Sequence, residues 1–141
     1  MRSVVYELDD CYKIVTYSKL KSGVWSATSL IKTIYKSESC INFIDALMKS
    51  LNASSKNLKE KDALSSSDYY NLLGLKKGVK IEKIAKSFTI TLEGSNLSVI
   101  PSTRNNNHTY YIPQLEDKLE YSLVRDLNIK SIFTEVLKKC E

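Results

Sequence analysis

The stretch Ser87–Pro101, SFTITLEGSNLSVIP, limits the possible folds more than any other part of the chain. Phe88, Ile90 and Leu92 alternate with Thr89 and Thr91, the period of two that a half-buried strand requires. Glu93-Gly94-Ser95-Asn96 is a turn cluster, because Gly94 and Asn96 tolerate positive φ. Leu97 and Val99 resume the alternation around Ser98, and Pro101, which lacks an N–H donor, is expected to end the ladder. The pattern predicts a β-hairpin with a loop of about four residues. Its apolar face needs a cover, which helices before and after it are placed to provide.

The flanking sequence supplies both strands and helices. Ser3–Glu7 and Cys11–Tyr17 alternate about an Asp9-Asp10 turn. Gly23 marks a turn or bulge, and Val24–Thr28, with Trp25 as a core anchor, reads as another strand. Leu30–Tyr35 fits strand or helix, and Ile31, Thr33, Ile34 and Tyr35 favour strand. Ile41, Phe43, Ile44, Leu47, Met48 and Leu51 recur at helical spacing over Glu38–Leu51, with Ser37 or Ser39 as the cap. Asn52–Asp68 is a polar surface loop with room for a helical turn. Ser67-Asp68 cap a short helix, Tyr69–Leu75, which Gly74 weakens at its end, and Ile81, Ile84 and Ala85 suggest one more turn.

Beyond the hairpin, Tyr110–Ile112 is a short strand closed by Pro113, and Leu119–Val124 is compatible with a strand. Asp126–Cys140 carries an apolar stripe through Ile129, Ile132, Phe133, Val136 and Leu137. The expected architecture is α+β: one domain over residues 1–141, a mainly antiparallel sheet with a central hairpin, helices packed on it, and a C-terminal amphipathic helix.

Composition narrows the function classes. The 141 residues include only three cysteines, Cys11, Cys40 and Cys140, widely spaced and without a C-x-x-C pair, so reduced, packed thiols are expected. The N-terminal MRSVVYELDDCYK lacks the apolar core of a signal peptide, and no run approaches the length of a membrane span. A cytoplasmic location without membrane association is therefore expected. The net charge is +5, from 21 basic and 16 acidic residues interspersed along the chain. The densest basic cluster is Lys76, Lys77 and Lys80, continuing to Lys83 and Lys86. A nucleic-acid binder concentrates its positive charge on one face, unlike this interspersed pattern, so direct nucleic-acid binding is not expected, and a small basic nucleic-acid-binding or regulatory protein using this cluster is kept as the alternative reading. Solvated lysines or an acidic protein partner account for the same cluster.

No motif points to a reaction. One histidine and three scattered cysteines do not make a metal set. His108 lies in an Asn-rich loop, and neither G-x-S-x-G nor a phosphate-binding glycine loop occurs. No catalytic residue, metal or cofactor is expected, and a binding protein is. Tyrosine and arginine are enriched at interfaces. The partner-binding candidates are Arg104, His108, Tyr110 and Tyr111 around the loop after the hairpin, with Lys76, Lys77 and Lys80.

The order of these features resembles a known family. TYSKLKSGVWSATSLI (16–31) precedes the YKSES…FIDALMKS helix (35–50), then YYNLLGLKKGVKIEKIAKSFTITLEGSNLSVIPS (69–102) and the closing helix. The Tyr69-Tyr70-x-Leu72-Leu73-Gly74 run, Lys83 and Lys86 before a strand, and the Ile100-Pro101 ending carry most of the likeness. Together they resemble the immunity proteins (CdiI) of bacterial contact-dependent growth inhibition systems. The resemblance implies a cytoplasmic protein that binds the C-terminal toxin domain of a cognate CdiA effector, often a nuclease, in a one-to-one complex. It also implies inhibition without a reaction, in some members by accepting a toxin β-hairpin beside the sheet. The basic charge departs from the acidity common among nuclease inhibitors. An acidic toxin surface, inhibition away from the nuclease's positive cleft, or a local acidic patch (Glu60, Asp62, Asp68) would reconcile the two.

Overall fold

The computed structural model describes residues 1–122. The expected helix over 126–140 lies outside them, as does Cys140. Seven strands form one sheet: β1 (Arg2–Glu7), β2 (Cys11–Lys19), β3 (Trp25–Tyr35), β4 (Lys86–Glu93), β5 (Asn96–Arg104), β6 (Tyr111–Pro113) and β7 (Leu119–Ser122). Their order is β3-β2-β1-β4-β5-β6, with β7 also paired to β5, and every pairing is antiparallel. Among the described residues three α-helices, α1 (Cys40–Ala53), α2 (Ser66–Leu73) and α3 (Ile81–Ile84), accompany the sheet in an α+β fold.

Alternation assigns each helix its side. Val5, Ile14, Phe88, Ile90, Leu97 and Val99 belong to one buried cluster, closed by Phe43, Ala46, Leu47 and Leu51 of α1. Those helix positions follow the spacing of a single apolar stripe. Tyr6 and Val15, the neighbours of Val5 and Ile14, point the other way and meet Leu73, Ile81 and Ala85.

A polar tether runs through the first cluster. Ser50 of α1 is buried, and its Oγ lies 2.7 Å from both Ser3 Oγ and Thr16 Oγ1. Just past the helix, Ser54 Oγ accepts from Arg2 N–H (3.0 Å) and donates to Tyr17 O (2.6 Å). These bonds fix α1 along β1 and β2 as well as against them.

The central hairpin forms as expected, with two differences. Glu93 pairs with Asn96, so only Gly94 and Ser95 turn the chain, and Gly94 takes the positive φ (+60°). That is the glycine-first pattern of a two-residue hairpin turn. Pro101 does not end the strand: it pairs with Phe88, and β5 runs on to Arg104. The reason is local. Pro101 O accepts from Gln114 N–H, so its imide nitrogen also faces the side away from β4. On that side β7 pairs only Asn96–Val99 and β6 only Ser102–Arg104, and Pro101 stands in the gap. A missing donor costs nothing where no ladder partner exists.

The two strand predictions after Gly23 merge into β3, with Gly23 in the turn (φ +89°). The register slips between Val15↔Ile31 and Tyr17↔Ala27, so Thr28–Leu30 bulge opposite Thr16. Thr28 Oγ1 bridges the bulge, donating to Thr16 O (3.1 Å) and accepting from Leu30 N–H (3.3 Å). Ser39 takes the first helix cap without a side-chain bond, while Glu38 accepts from Tyr35 N–H and the Asn42 amide. The long loop holds a 3₁₀ turn at Glu60–Asp62.

The hydroxyl tether gives a stability prediction. Ser50→Ala removes the Oγ that Ser3 and Thr16 share, leaving Ser3 Oγ unpartnered and Thr16 Oγ1 only its longer bond to Ser50 O (3.3 Å), and is expected to cost about 1–3 kcal/mol in urea unfolding. Ser3→Ala and Thr16→Val added to it should recover part of that loss, because no orphaned polar group remains. A triple variant less stable than Ser50→Ala would contradict this account.

Candidate functional site

The sheet face opposite α1 carries the features that sequence alone left without a role. The α2 helix begins with Ser65, whose Oγ accepts from Asp68 N–H (3.1 Å) and donates to the Asp68 carboxylate (2.7 Å). It ends at Gly74 in the left-handed region (φ +67°), a conformation that favours glycine. Leu73 is its only fully buried residue. Tyr69 and Tyr70 do the rest of its anchoring.

The Tyr69 hydroxyl donates to the Tyr6 hydroxyl (2.6 Å), and the two helix rings meet edge to face at 5.7 Å. Tyr17 stands beside this pair. Burial pushes the phenols of Tyr6, Tyr69 and Tyr17 above their ordinary value. Tyr70 donates to both oxygens of Glu82 (2.9 and 3.0 Å). Burial, then the Glu82 carboxylate, raises its phenol to about 12. All four hydroxyls are therefore neutral at physiological pH.

Two clefts flank Tyr70. The first, about 250 Å³, lies between Tyr17, Ala27, Leu64, Tyr69, Tyr70 and Glu82. The second, about 280 Å³, is formed by Tyr70, Asn71 and Leu75 with Lys76, Lys77 and Lys80. The three lysines named from the sequence are thus gathered around one hollow. Gly78 allows their loop to turn (φ +83°), and Val79 N–H closes it on Lys76 O.

The remaining candidates divide. Arg104 donates from Nη2 to Ala85 O (2.9 Å), and the Tyr111 hydroxyl reaches Ile81 O (3.1 Å) and Ala85 O (2.7 Å). Both side chains tie the end of α3 to the sheet, and the Tyr111 ring packs on Tyr6 at 5.8 Å. His108 (φ +51°) and Tyr110 are exposed in the β5–β6 turn, which Asn105 holds by accepting from Thr109 and Tyr110 N–H. Lys80 precedes α3 directly, so α3 joins the lysine loop to the Arg104–Tyr111 anchor.

Among the described residues no three His, Cys, Asp or Glu side chains stand together as metal ligands, and no helix is long and apolar enough to cross a membrane. Cys11 is buried, with its thiol raised first by burial, and Cys40 is exposed. Sequence reasoning missed Glu82 and the first cleft. Part of the signal was present: period two puts Tyr6 opposite Val5 on β1 and Tyr17 with Val15 on β2, and the β1–β2 register brings both to one face. Nothing in sequence placed α2 over them.

The phenol cluster makes stability depend on alkali. A folded-state value above the unfolded value of 10.0 means the stabilisation is complete below about pH 10 and is lost as pH rises through the folded value. The melting temperature is expected to be flat from about pH 8 to 9.5 and to fall steeply towards pH 12. Tyr6→Phe with Tyr69→Phe should lower the plateau and flatten the fall. An equally steep fall in the double variant would remove these phenols from the cause.

Comparison with known proteins adds a fold relationship. No protein-family model matches the sequence, and no curated protein does. Among solved structures, the chain is similar to a Neisseria meningitidis protein of unknown function, NMB0488. The TM-score is 0.77 at 14% identity, over 99% of this chain and 94% of that one. It is also similar to a chain of the CdiA-CT/CdiI toxin and immunity complex from Yersinia pseudotuberculosis. There the TM-score is 0.74 at 14% identity, over 99% of this chain and 97% of that one. At such identity the likeness shows a shared fold.

Proposed function

We propose that this protein is a toxin-neutralising immunity protein of the CdiI kind. It would bind the C-terminal toxin domain of a cognate CdiA effector one-to-one in the cytoplasm and block it without performing a reaction. The observation that carries this reading is the fold likeness, along nearly the whole chain, to a chain of a toxin and immunity complex. The residues that resemble CdiI in sequence support it independently.

The α2–α3 surface suits such a role. Two adjoining clefts of opposite chemistry, one bearing a carboxylate and one lysines, offer a partner both charges within one footprint. Complementary charge of this kind speeds encounter and selects the partner. It also accommodates a nuclease toxin despite the net charge of +5, because the acidic groups Glu60, Asp62, Asp68 and Glu82 fall in or close to the elements around one cleft. Ala27 of β3 lines that cleft, and among the described residues β3 is one of the two terminal strands of the sheet. Strand addition along Ile31–Tyr35, beyond the bulge, would bring a toxin hairpin beside it.

The test is co-purification with the toxin domain encoded immediately upstream. A one-to-one complex, with protection of cells expressing that domain, is the expected result, and no binding with no protection would overturn the reading. Lys76→Glu with Lys80→Glu is expected to weaken the complex about tenfold at low salt, mostly through slower association. Unchanged affinity would take the lysine loop out of the interface. Retention on nucleic acid that falls steeply with salt would favour the basic nucleic-acid-binding alternative instead.

A further inference from the structure

The first cleft is an unusual place for a carboxylate. Tyr17, Tyr69 and Tyr70 wall it, and Glu82 is held in it by the Tyr70 hydroxyl on both oxygens. One phenol supplies one proton, so most of the carboxylate's capacity as an acceptor stays open. Among the described residues Glu82 has no ion pair, and no lysine or arginine lines the cleft.

Elsewhere the protein seats its own cations over its rings. The Arg2 guanidinium lies 4.6 Å from the centre of the Trp25 ring, and Lys36 Nζ lies 5.5 Å from that of Tyr12. Lys36 also pairs with Glu7 at 2.9 Å, so a ring and a carboxylate share one ammonium. Among the described residues, the three tyrosines of the cleft have no such cation above their rings, and Arg2, near enough to Tyr17 to act on its phenol, is taken up by Trp25. The start of α2 would oppose a cation at the Ser65 end, but Asp68, bonded to Ser65, offsets that positive helix terminus.

We propose that this cleft receives a lysine or arginine side chain of the partner protein, held between the tyrosine rings and the Glu82 carboxylate. The proposal rests on the immunity reading for the identity of the partner, while the chemistry of the cleft stands without it. Neutral phenols present electron-rich ring faces to a cation, and a cleft of about 250 Å³ has room for a long side chain. The long stem would lie against Ala27 and Leu64. The pairing explains how a basic protein takes up a basic partner residue: charge is matched locally, not over the whole surface.

The deciding experiment needs no toxin. The full chain with labelled tyrosine rings is titrated by NMR with N-acetyl-arginine methylamide, N-acetyl-lysine methylamide and the neutral norleucine analogue. Saturable shifts of Tyr17, Tyr69 and Tyr70 are expected with a cationic probe, with a Kd on the order of 10 mM. The norleucine analogue should leave them unmoved, and Glu82→Gln, which retains an acceptor for Tyr70, should weaken the response about tenfold. No shift with either cationic probe, equal shifts with norleucine, or an unaltered response in a folded Glu82→Gln chain would overturn the proposal. With a toxin domain that binds the wild type, Glu82→Gln should weaken the complex about tenfold and Glu82→Lys more. Equal affinity of all three would exclude the cleft from that complex. A toxin domain that binds none of them would count against the immunity reading, and the probe titration would still decide the cleft.

Discussion

The sheet is buried on both faces where β1, β2 and β4 meet, and this constraint governs the rest of the chain. Val5 and Tyr6 are adjacent in sequence and both buried, on opposite sides. A strand with two apolar faces needs two covers. One is α1, a fourteen-residue helix with a full apolar stripe. The other is assembled from α2, α3 and the loop between them, which are too short to bury much by themselves. That second cover is held by specific polar contacts: Tyr69 to Tyr6, Tyr70 to Glu82, and Tyr111 with Arg104 to the carbonyls of α3.

The division of labour has a functional side. A helix locked by packing leaves few hollows, whereas one attached by long tyrosine side chains stands off the sheet and leaves clefts on its flanks. Both clefts described above border Tyr70. The residues that attach the second cover therefore also shape the clefts of this face.

Much of the fold was legible because its signals are local. Period two marked β1, β2, β4 and β5, helical spacing marked α1, and glycines marked the turns. The errors came where tertiary context decides. Pro101 reads as a strand end, and only the gap between β6 and β7 shows why it is tolerated inside one. The bulge at Thr28–Leu30 hid the continuity of β3 by breaking its alternation. The placement of the candidate residues was less legible. The grouping of Lys76, Lys77 and Lys80 around one hollow could be anticipated because a charge cluster survives as a run of letters, whereas Arg104 and Tyr111, named because their residue types are enriched at interfaces, also bond to the carbonyls of α3, which no local pattern signals. Glu82 has no distinguishing neighbour in sequence, and its setting exists only after α2 closes over the sheet.

The bulge in β3 also bears on what the protein avoids. Among the described residues no strand pairs with the outer side of β3, and an unpaired edge is as inviting to a second copy of its own chain as to anything else. Thr28 spends its hydroxyl on the backbone where the ladder is broken, and the chain there bends away from a straight template. A second copy laid along this edge would meet a break in the straight template at that point. Pairing along this edge is then confined to the straight stretches on either side of the bulge.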